Sequence, residues 1–344
     1  MQLFLCEKPS QAKDIARVLG ISKREQGFIS GGNIVVTWAV GHLLETASPE
    51  AYGEQYGRPW RADVLPVLPE AWKMVVKEQT KSQFTVISKL LKKASEVVIA
   101  TDADREGEVI ARELLEYCRW EGPVQRLWLS ALDELSIRAA LQDLRPGQAT
   151  LGMYHAGLGR ARADWLIGMN LSRLYTLRAA ESGFDGVVSV GRVQTPTLAL
   201  IVRRHLEIVN FTPEAYWELK TLYRGVIFSA TQGRFGAADE AAETLEKIRE
   251  SLFTITSFEK KKGTEAPPRL FDLTSLQVEC NKKFAFTAEE TLGYIQSLYE
   301  KKQVSYPRVD TTFLPDDIYP KIPGILKGLK PYETFTEPLL KSKI

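Results

Sequence analysis

Over the first part of the chain, apolar positions switch between two rhythms. Residues 1–6 form a short apolar run that reads as a strand. Ile15, Ala16, Val18 and Leu19 then recur at helical spacing, with Ser10 placed to cap that helix. Residues 33–40 read as a strand, 81–94 as a helix, and 96–99 as an apolar, β-branched strand. Val109, Ile110, Leu114 and Leu115 return to helical spacing. Strands alternating with helices up to about residue 144 predict an α/β domain on a mostly parallel sheet, ending near Arg145-Pro146-Gly147.

Later stretches differ in character. Residues 150–180 are helical in pattern, and a further helix starts near Pro196. From 207 to about 258 the chain predicts strands at 216–223, 226–228 and 253–257, with a helix over 238–251. Lys260-Lys261-Lys262 through Pro267-Pro268 reads as a solvated linker, followed by helices at 273–280 and 288–301.

Composition narrows the picture by exclusion. The 344 residues hold 45 Lys and Arg against 43 Asp and Glu, a net charge of +2, so attraction to a polyanion has to come from local clusters. Cys6, Cys118 and Cys280 are far apart, with no CxxC pair, which argues against a zinc ribbon or a disulfide framework and suits a reducing cytoplasm. No apolar run reaches membrane-spanning length, no signal-peptide pattern opens the chain, and no GxxxxGK[ST] motif points to P-loop nucleotide hydrolysis.

The candidate chemistry centres on Thr101-Asp102-Ala103-Asp104-Arg105-Glu106-Gly107, which lies between the 96–99 strand and the following helix. Ligands of open α/β sheets bind at such strand ends. Asp102, Asp104 and Glu106 alternate, and three carboxylates on one side of a loop invite a hard cation such as Mg2+. The same residues also suit a solvated turn whose acids cap the helix. Glu7 and Lys8 end the first strand, and neighbouring parallel strands would bring Glu7 towards Asp102. His42 follows a strand, and nothing around it in sequence assigns it a role.

Arg160, Arg162, Arg173 and Arg178 are interleaved with Trp165 and Tyr175, a mixture that suits phosphates and stacked bases of a single nucleic-acid strand; an amphipathic helix with Trp165 in the core has the same pattern. Ser189-Val190-Gly191-Arg192-Val193-Gln194-Thr195-Pro196 puts glycine, arginine and hydroxyls before a helix N-terminus, a natural phosphate seat. Tyr306 precedes a proline and is therefore held extended, which places Arg308 on its side of the chain. A phenol beside a guanidinium suits phosphoryl attack, although a packing tyrosine has the same local sequence.

Taken together and in this order, Glu7-Lys8-Pro9-Ser10, the Thr101–Gly107 block, Arg160-Ala161-Arg162-Ala163-Asp164-Trp165-Leu166, the Ser189–Pro196 block and Tyr306-Pro307-Arg308-Val309-Asp310 resemble the type IA DNA topoisomerases, nearest to the bacterial topoisomerase III branch. The resemblance implies an α/β fold in which an N-terminal Toprim parallel sheet is followed by helical and small β-rich domains. Its boundaries are a Toprim domain over 1–149, a helical DNA-binding domain over 150–212, a β-rich connecting domain over 213–268 and the start of a nucleophile-bearing domain over 269–344. It further implies ATP-independent, Mg2+-dependent breakage and rejoining of single-stranded DNA, with no membrane and no ATP involved.

In residue terms, the resemblance implies that Tyr306 becomes bonded to a 5′ phosphate with Arg308 in support. Glu7 handles the proton of the leaving 3′ oxygen, and Lys8 stabilises the phosphate. Mg2+ is expected at Glu7, Asp102 and Asp104 with Glu106 nearby. Trp60, Trp165, Arg173, Ser189, Val190, Gly191, Arg192, Val193 and Gln194 fall where the family touches single-stranded DNA. Because the chain stops at Ile344, it is expected to be a C-terminally truncated member lacking a downstream His-containing motif. The alternative expectation is a remnant that binds single strands without strand passage.

Overall fold

The computed structural model describes residues 1–309, 311–314 and 316–342; Asp310, the last residue of the tyrosine block, lies outside them. The chain forms two compact units, one from residues 1–192 with 268 onward and the other from Val193–Pro267.

In the first unit the chain runs through β1 (Gln2–Cys6), α1 (Pro9–Val18), β2 (Lys23–Glu25), β3 (Phe28–Gly31), β4 (Ile34–Trp38), β5 (Leu44–Thr46), β6 (Met74–Val76), α2 (Lys81–Leu91), β7 (Glu96–Ala100), α3 (Arg105–Tyr117), β8 (Val124–Arg126), α4 (Glu134–Gln142), β9 (Arg145–Pro146) and α5 (Leu151–Glu181). Seven strands form one sheet in the order β2-β3-β4-β1-β7-β8-β9. Its centre is parallel: β1 lies between β4 and β7, and β8 extends it beyond β7. The strands β2, β3 and β9 pair antiparallel at the two margins. This is the mixed α/β architecture that the alternating pattern predicts.

The period-2 geometry of the central strands divides the core. Leu3, Leu5, Val97 and Ile99 pack with Ile110 and Leu114, while Phe4, Cys6, Val98 and Ala100 pack with Ala12, Ile15, Leu127, Tyr299 and Tyr306. Two local expectations change. Helix α1 begins at Pro9, with Lys8 as its extended N-cap, so Ser10 lies inside the first turn and does not cap it. Proline suits that first position because it has no N–H to satisfy and a preset φ.

Within the second unit, α6 (Gln194–Val209) precedes the antiparallel pair β10 (Trp217–Tyr223) and β11 (Val226–Phe235), then α7 (Ala238–Arg249). The strand expected over 253–257 does not form. Phe253 packs its ring on Phe228 and Tyr223, at centroid distances of 4.8 and 5.7 Å, so the segment joins the hairpin through side chains without a backbone ladder.

The first unit resumes with α8 (Leu273–Phe284) and α9 (Ala288–Glu300), both opened by capping boxes, then α10 (Ile322–Gly328) and α11 (Glu333–Lys341). Among the described residues no helix is long and apolar enough to cross a membrane.

Candidate active site

The register of β1 against β7, with Cys6 opposite Ala100, delivers Glu7 and Thr101-Asp102 to the same sheet edge. The loop between β7 and α3 is tightly built. The Thr101 hydroxyl donates to the Gly107 carbonyl at 2.8 Å, and the Gly107 N–H donates to Asp104 at 2.7 Å, which makes Asp104 the N-cap of α3. Gly107 is required by contact, since a Cβ there would stand 2.3 Å from the Asp102 carbonyl oxygen.

Arg126, at the end of β8, fixes the loop from below. Its fully buried guanidinium donates to the carbonyls of Thr101 (2.8 Å), Asp102 (2.6 Å) and Leu127 (2.8 Å) and to Glu108 (2.6 Å). Glu108 also accepts from Arg112 at 2.8 Å, which gives this buried carboxylate two partners. Neither Arg126 nor Glu108 stood out in the sequence. The available signal is one charged residue at the end of a short strand, just before Leu127, and another among the apolar positions of α3.

Above the loop, Lys8 joins the two strand ends. Its ammonium donates to Asp102 at 2.8 Å and stands 3.6 Å from Glu7, while Gln11 donates to the other Asp102 oxygen at 3.3 Å. Glu7 accepts from the Asp102 N–H at 3.3 Å. Burial, and then repulsion from Asp102, pushes the Glu7 carboxyl up to about 7. Burial alone would lower Lys8, but the carboxylates of Asp102 and Glu7 hold it above its ordinary range.

Tyr306 reaches this loop from the far end of the chain. Its hydroxyl donates to Asp104 at 2.5 Å, its N–H donates to the Ser130 carbonyl at 3.1 Å, and its ring packs edge-on against Tyr299 at 5.6 Å. Burial, reinforced by the Asp104 hydrogen bond, holds the phenol well above the usual tyrosine range. Arg308 sits 3.5 Å from Glu106, so Tyr306 and Arg308 both address the acid loop. His42 lies 3.8 Å from Glu106 and 3.5 Å from Glu113; their carboxylates raise the imidazole to about 9. The same imidazole, with Arg308 and Arg160, holds Glu106 below its usual range.

The donor set fits a hard divalent cation in kind. It consists of carboxylate oxygens, and their mutual repulsion, visible at Glu7, is what a cation would relieve. Convergence is incomplete: among the described residues no three His, Cys, Asp or Glu side chains stand together so as to hold an ion. Glu7 and Asp102 are side by side, but Asp104 is turned to Tyr306, and Glu106 to Arg308 and His42.

Comparison with known proteins gives the family. A Toprim domain family model matches residues 2–132, and a DNA topoisomerase family model matches residues 148–343. The chain belongs to the type IA DNA topoisomerases. It is 38% identical to DNA topoisomerase 3 of Bacillus subtilis over 99% of this chain and 48% of that protein, and 41% identical to DNA topoisomerase 3 of Shouchella clausii over 91% and 44%. It therefore spans about half the length of these curated relatives. Full-length topoisomerase I from Thermotoga maritima superposes with a TM-score of 0.65 at 25% identity, over 97% of this chain and 53% of that one.

In this topoisomerase chain, the residues expected to touch DNA separate into two groups. Trp165 is 8% exposed; it donates to the Ala47 carbonyl at 3.2 Å and packs edge-on against Tyr52 and Trp72. Arg173 is 5% exposed and donates to the Tyr56 carbonyl at 2.6 Å and to Glu50 at 3.1 Å. Both are largely buried and have partners inside the protein. Together with Asn170, which brackets the Val67 backbone, they fasten the 47–67 segment to α5.

The other group is more open. Trp60 is half-buried, with the guanidinium groups of Arg58 and Arg173 at 4.6 and 5.1 Å from its ring. Arg192 pairs with Asp164 at 2.8 Å while remaining partly exposed, and the Ser172 hydroxyl exchanges hydrogen bonds with the Val190 backbone. Ser189 and Gly191 belong to this same segment along α5, whereas Val193 and Gln194 begin the second unit at the start of α6.

Proposed function

We propose that this chain breaks and rejoins one strand of DNA through a covalent bond between Tyr306 and a 5′ phosphate. The observation that carries the reading is the Tyr306 hydroxyl hydrogen-bonded to Asp104, with Arg308 two residues on and Lys8 on the adjoining acid. The Tyr306 oxygen attacks phosphorus as the bond from phosphorus to the 3′ oxygen breaks. Asp104 is placed to accept the phenolic proton, and Glu7, which holds a proton readily near neutral pH, is placed to supply one to the leaving 3′ oxygen. Lys8 and Arg308 balance charge on the phosphate. Rejoining reverses each step: the 3′ hydroxyl attacks phosphorus and the tyrosyl oxygen leaves.

The phosphotyrosine bond conserves the phosphodiester's energy, so the cycle needs no ATP. Glu7, Asp102, Asp104 and Glu106 would hold Mg2+, which when bound supplies positive charge to the phosphate oxygens. Single-stranded DNA is the expected substrate, with Trp60 and the Ser189–Gln194 segment, including Arg192, as candidate contacts. Three free cysteines suit a cytoplasmic setting.

The test uses a single-stranded oligonucleotide labelled at either end, incubated with the chain and Mg2+ and resolved under denaturing conditions. A 3′ label should travel with the protein, while a 5′ label should appear on a shorter free fragment. Protein retention of the 5′ label, or of neither label, contradicts the proposal.

A further inference from the structure

We propose that the ion pair between Asp14 and Lys302 is a positioning pair that holds the Tyr306 segment over the acid loop. Helix α1, which begins directly after Lys8, carries Asp14; Lys302 follows α9, four residues ahead of Tyr306. The Lys302 ammonium stands 2.6 Å from the Asp14 carboxylate, with side chains 26% and 17% exposed, so solvent screens the pair only in part. One contact therefore relates the strand end that bears Glu7 and Lys8 to the segment that bears the nucleophile.

The backbone directs Lys302 to this place. Its φ of +64° lies in the left-handed region, which a lysine seldom adopts, and it reverses the chain after α9. The N–H groups of Lys302 and Gln303 donate to the carbonyls of Tyr299 and Leu298, both at 2.9 Å, and close that turn. Arg17 shares Asp14 at 3.2 Å, and Glu134 at the first turn of α4 lies within electrostatic reach of both cations.

The remaining contacts of the segment divide by what catalysis asks of them. Tyr306 with Asp104 and Arg308 with Glu106 involve groups that must turn to an entering phosphate. The packing of Tyr299 and Tyr306 in the core is apolar and permits sliding. Like the Tyr306 N–H on the Ser130 carbonyl, the Asp14–Lys302 pair is directional and touches none of the acid-loop residues, so both keep their geometry while those groups change partners, and the pair ties the segment to α1. An error of about 1 Å in the nucleophile costs on the order of 10²-fold in rate, which is why a remote fixing point matters.

The consequence for rate rests on the function proposed for Tyr306; the consequence for position does not. Asp14→Lys and Lys302→Asp should each speed hydrogen exchange at the Tyr306 amide, which donates to Ser130. Each should also lower the rate constant of adduct formation at saturating oligonucleotide by about tenfold, with oligonucleotide Kd unchanged. The double swap, and Lys302→Arg alone, should restore both readouts. Single reversals that leave Tyr306 exchange unchanged, that raise exchange uniformly across the central sheet, or that slow adduct formation without rescue by the swap overturn the pair's role. If the unaltered chain forms no adduct, the proposed function fails, and exchange at Tyr306 in the single and swapped variants still decides for or against the positioning role.

Discussion

At the scale of single residues, the acid loop depends on one missing side chain and one buried charge cluster. Gly107→Ala forces a Cβ into the Asp102 carbonyl, so it should cost about 1–3 kcal/mol, read as a lower urea midpoint. Gly159→Ala, in α5 with nothing within 4 Å of the added carbon, should instead stabilise by up to about 1 kcal/mol through helix propensity. Similar losses at both positions would refute the contact argument. Arg126→Met removes four carbonyl contacts and one partner of Glu108, leaving a buried carboxylate half-satisfied. The expected cost is about 3–5 kcal/mol by urea denaturation; a change below about 1 kcal/mol would show that the cluster does not support the loop.

At the scale of elements, α5 is a strut. Trp165, Asn170 and Arg173 fasten the 47–67 segment to it, so Trp165→Ala should cost about 3–5 kcal/mol in the absence of DNA. An unchanged midpoint with lost DNA affinity would instead give Trp165 a base-stacking role. The sequence made β1, β7 and the helix after the acid loop legible because their apolar runs fill both faces of a parallel sheet or one face of a helix. It made Tyr306 and Arg308 legible only in company with the other blocks of the resemblance, because a packing tyrosine has the same local sequence. It left the destination of Trp165 open, because an arginine–aromatic helix reads alike whether its ring meets a base or Tyr52 and Trp72. Arg126, Glu108 and the Asp14–Lys302 pair were hidden for another reason: their partners are set by which strands and helices adjoin in space. The missing strand over 253–257 has β-forming residues, but composition does not specify a ladder partner.

At the scale of the whole molecule, two distant parts of the first unit meet at one sheet edge. The strand ends supply Glu7, Lys8 and the acid loop, and the segment after α9 supplies Tyr306 and Arg308. A net charge of +2 gives no long-range pull on DNA, so affinity should rest on local cations. Binding of a single-stranded oligonucleotide should then weaken linearly in a plot of log affinity against log salt, by roughly 0.7 in slope per phosphate contacted, and Trp60→Ala should weaken it further. A flat salt dependence measured by fluorescence anisotropy would count against phosphate contacts. The most direct test of the nucleophile's identity is mass spectrometry of the trapped protein–DNA adduct after protease and nuclease digestion. The phosphonucleotide should be found on Tyr306 and be absent from Tyr306→Phe; a nucleotide on any other residue, or an undiminished adduct in that variant, would contradict the account.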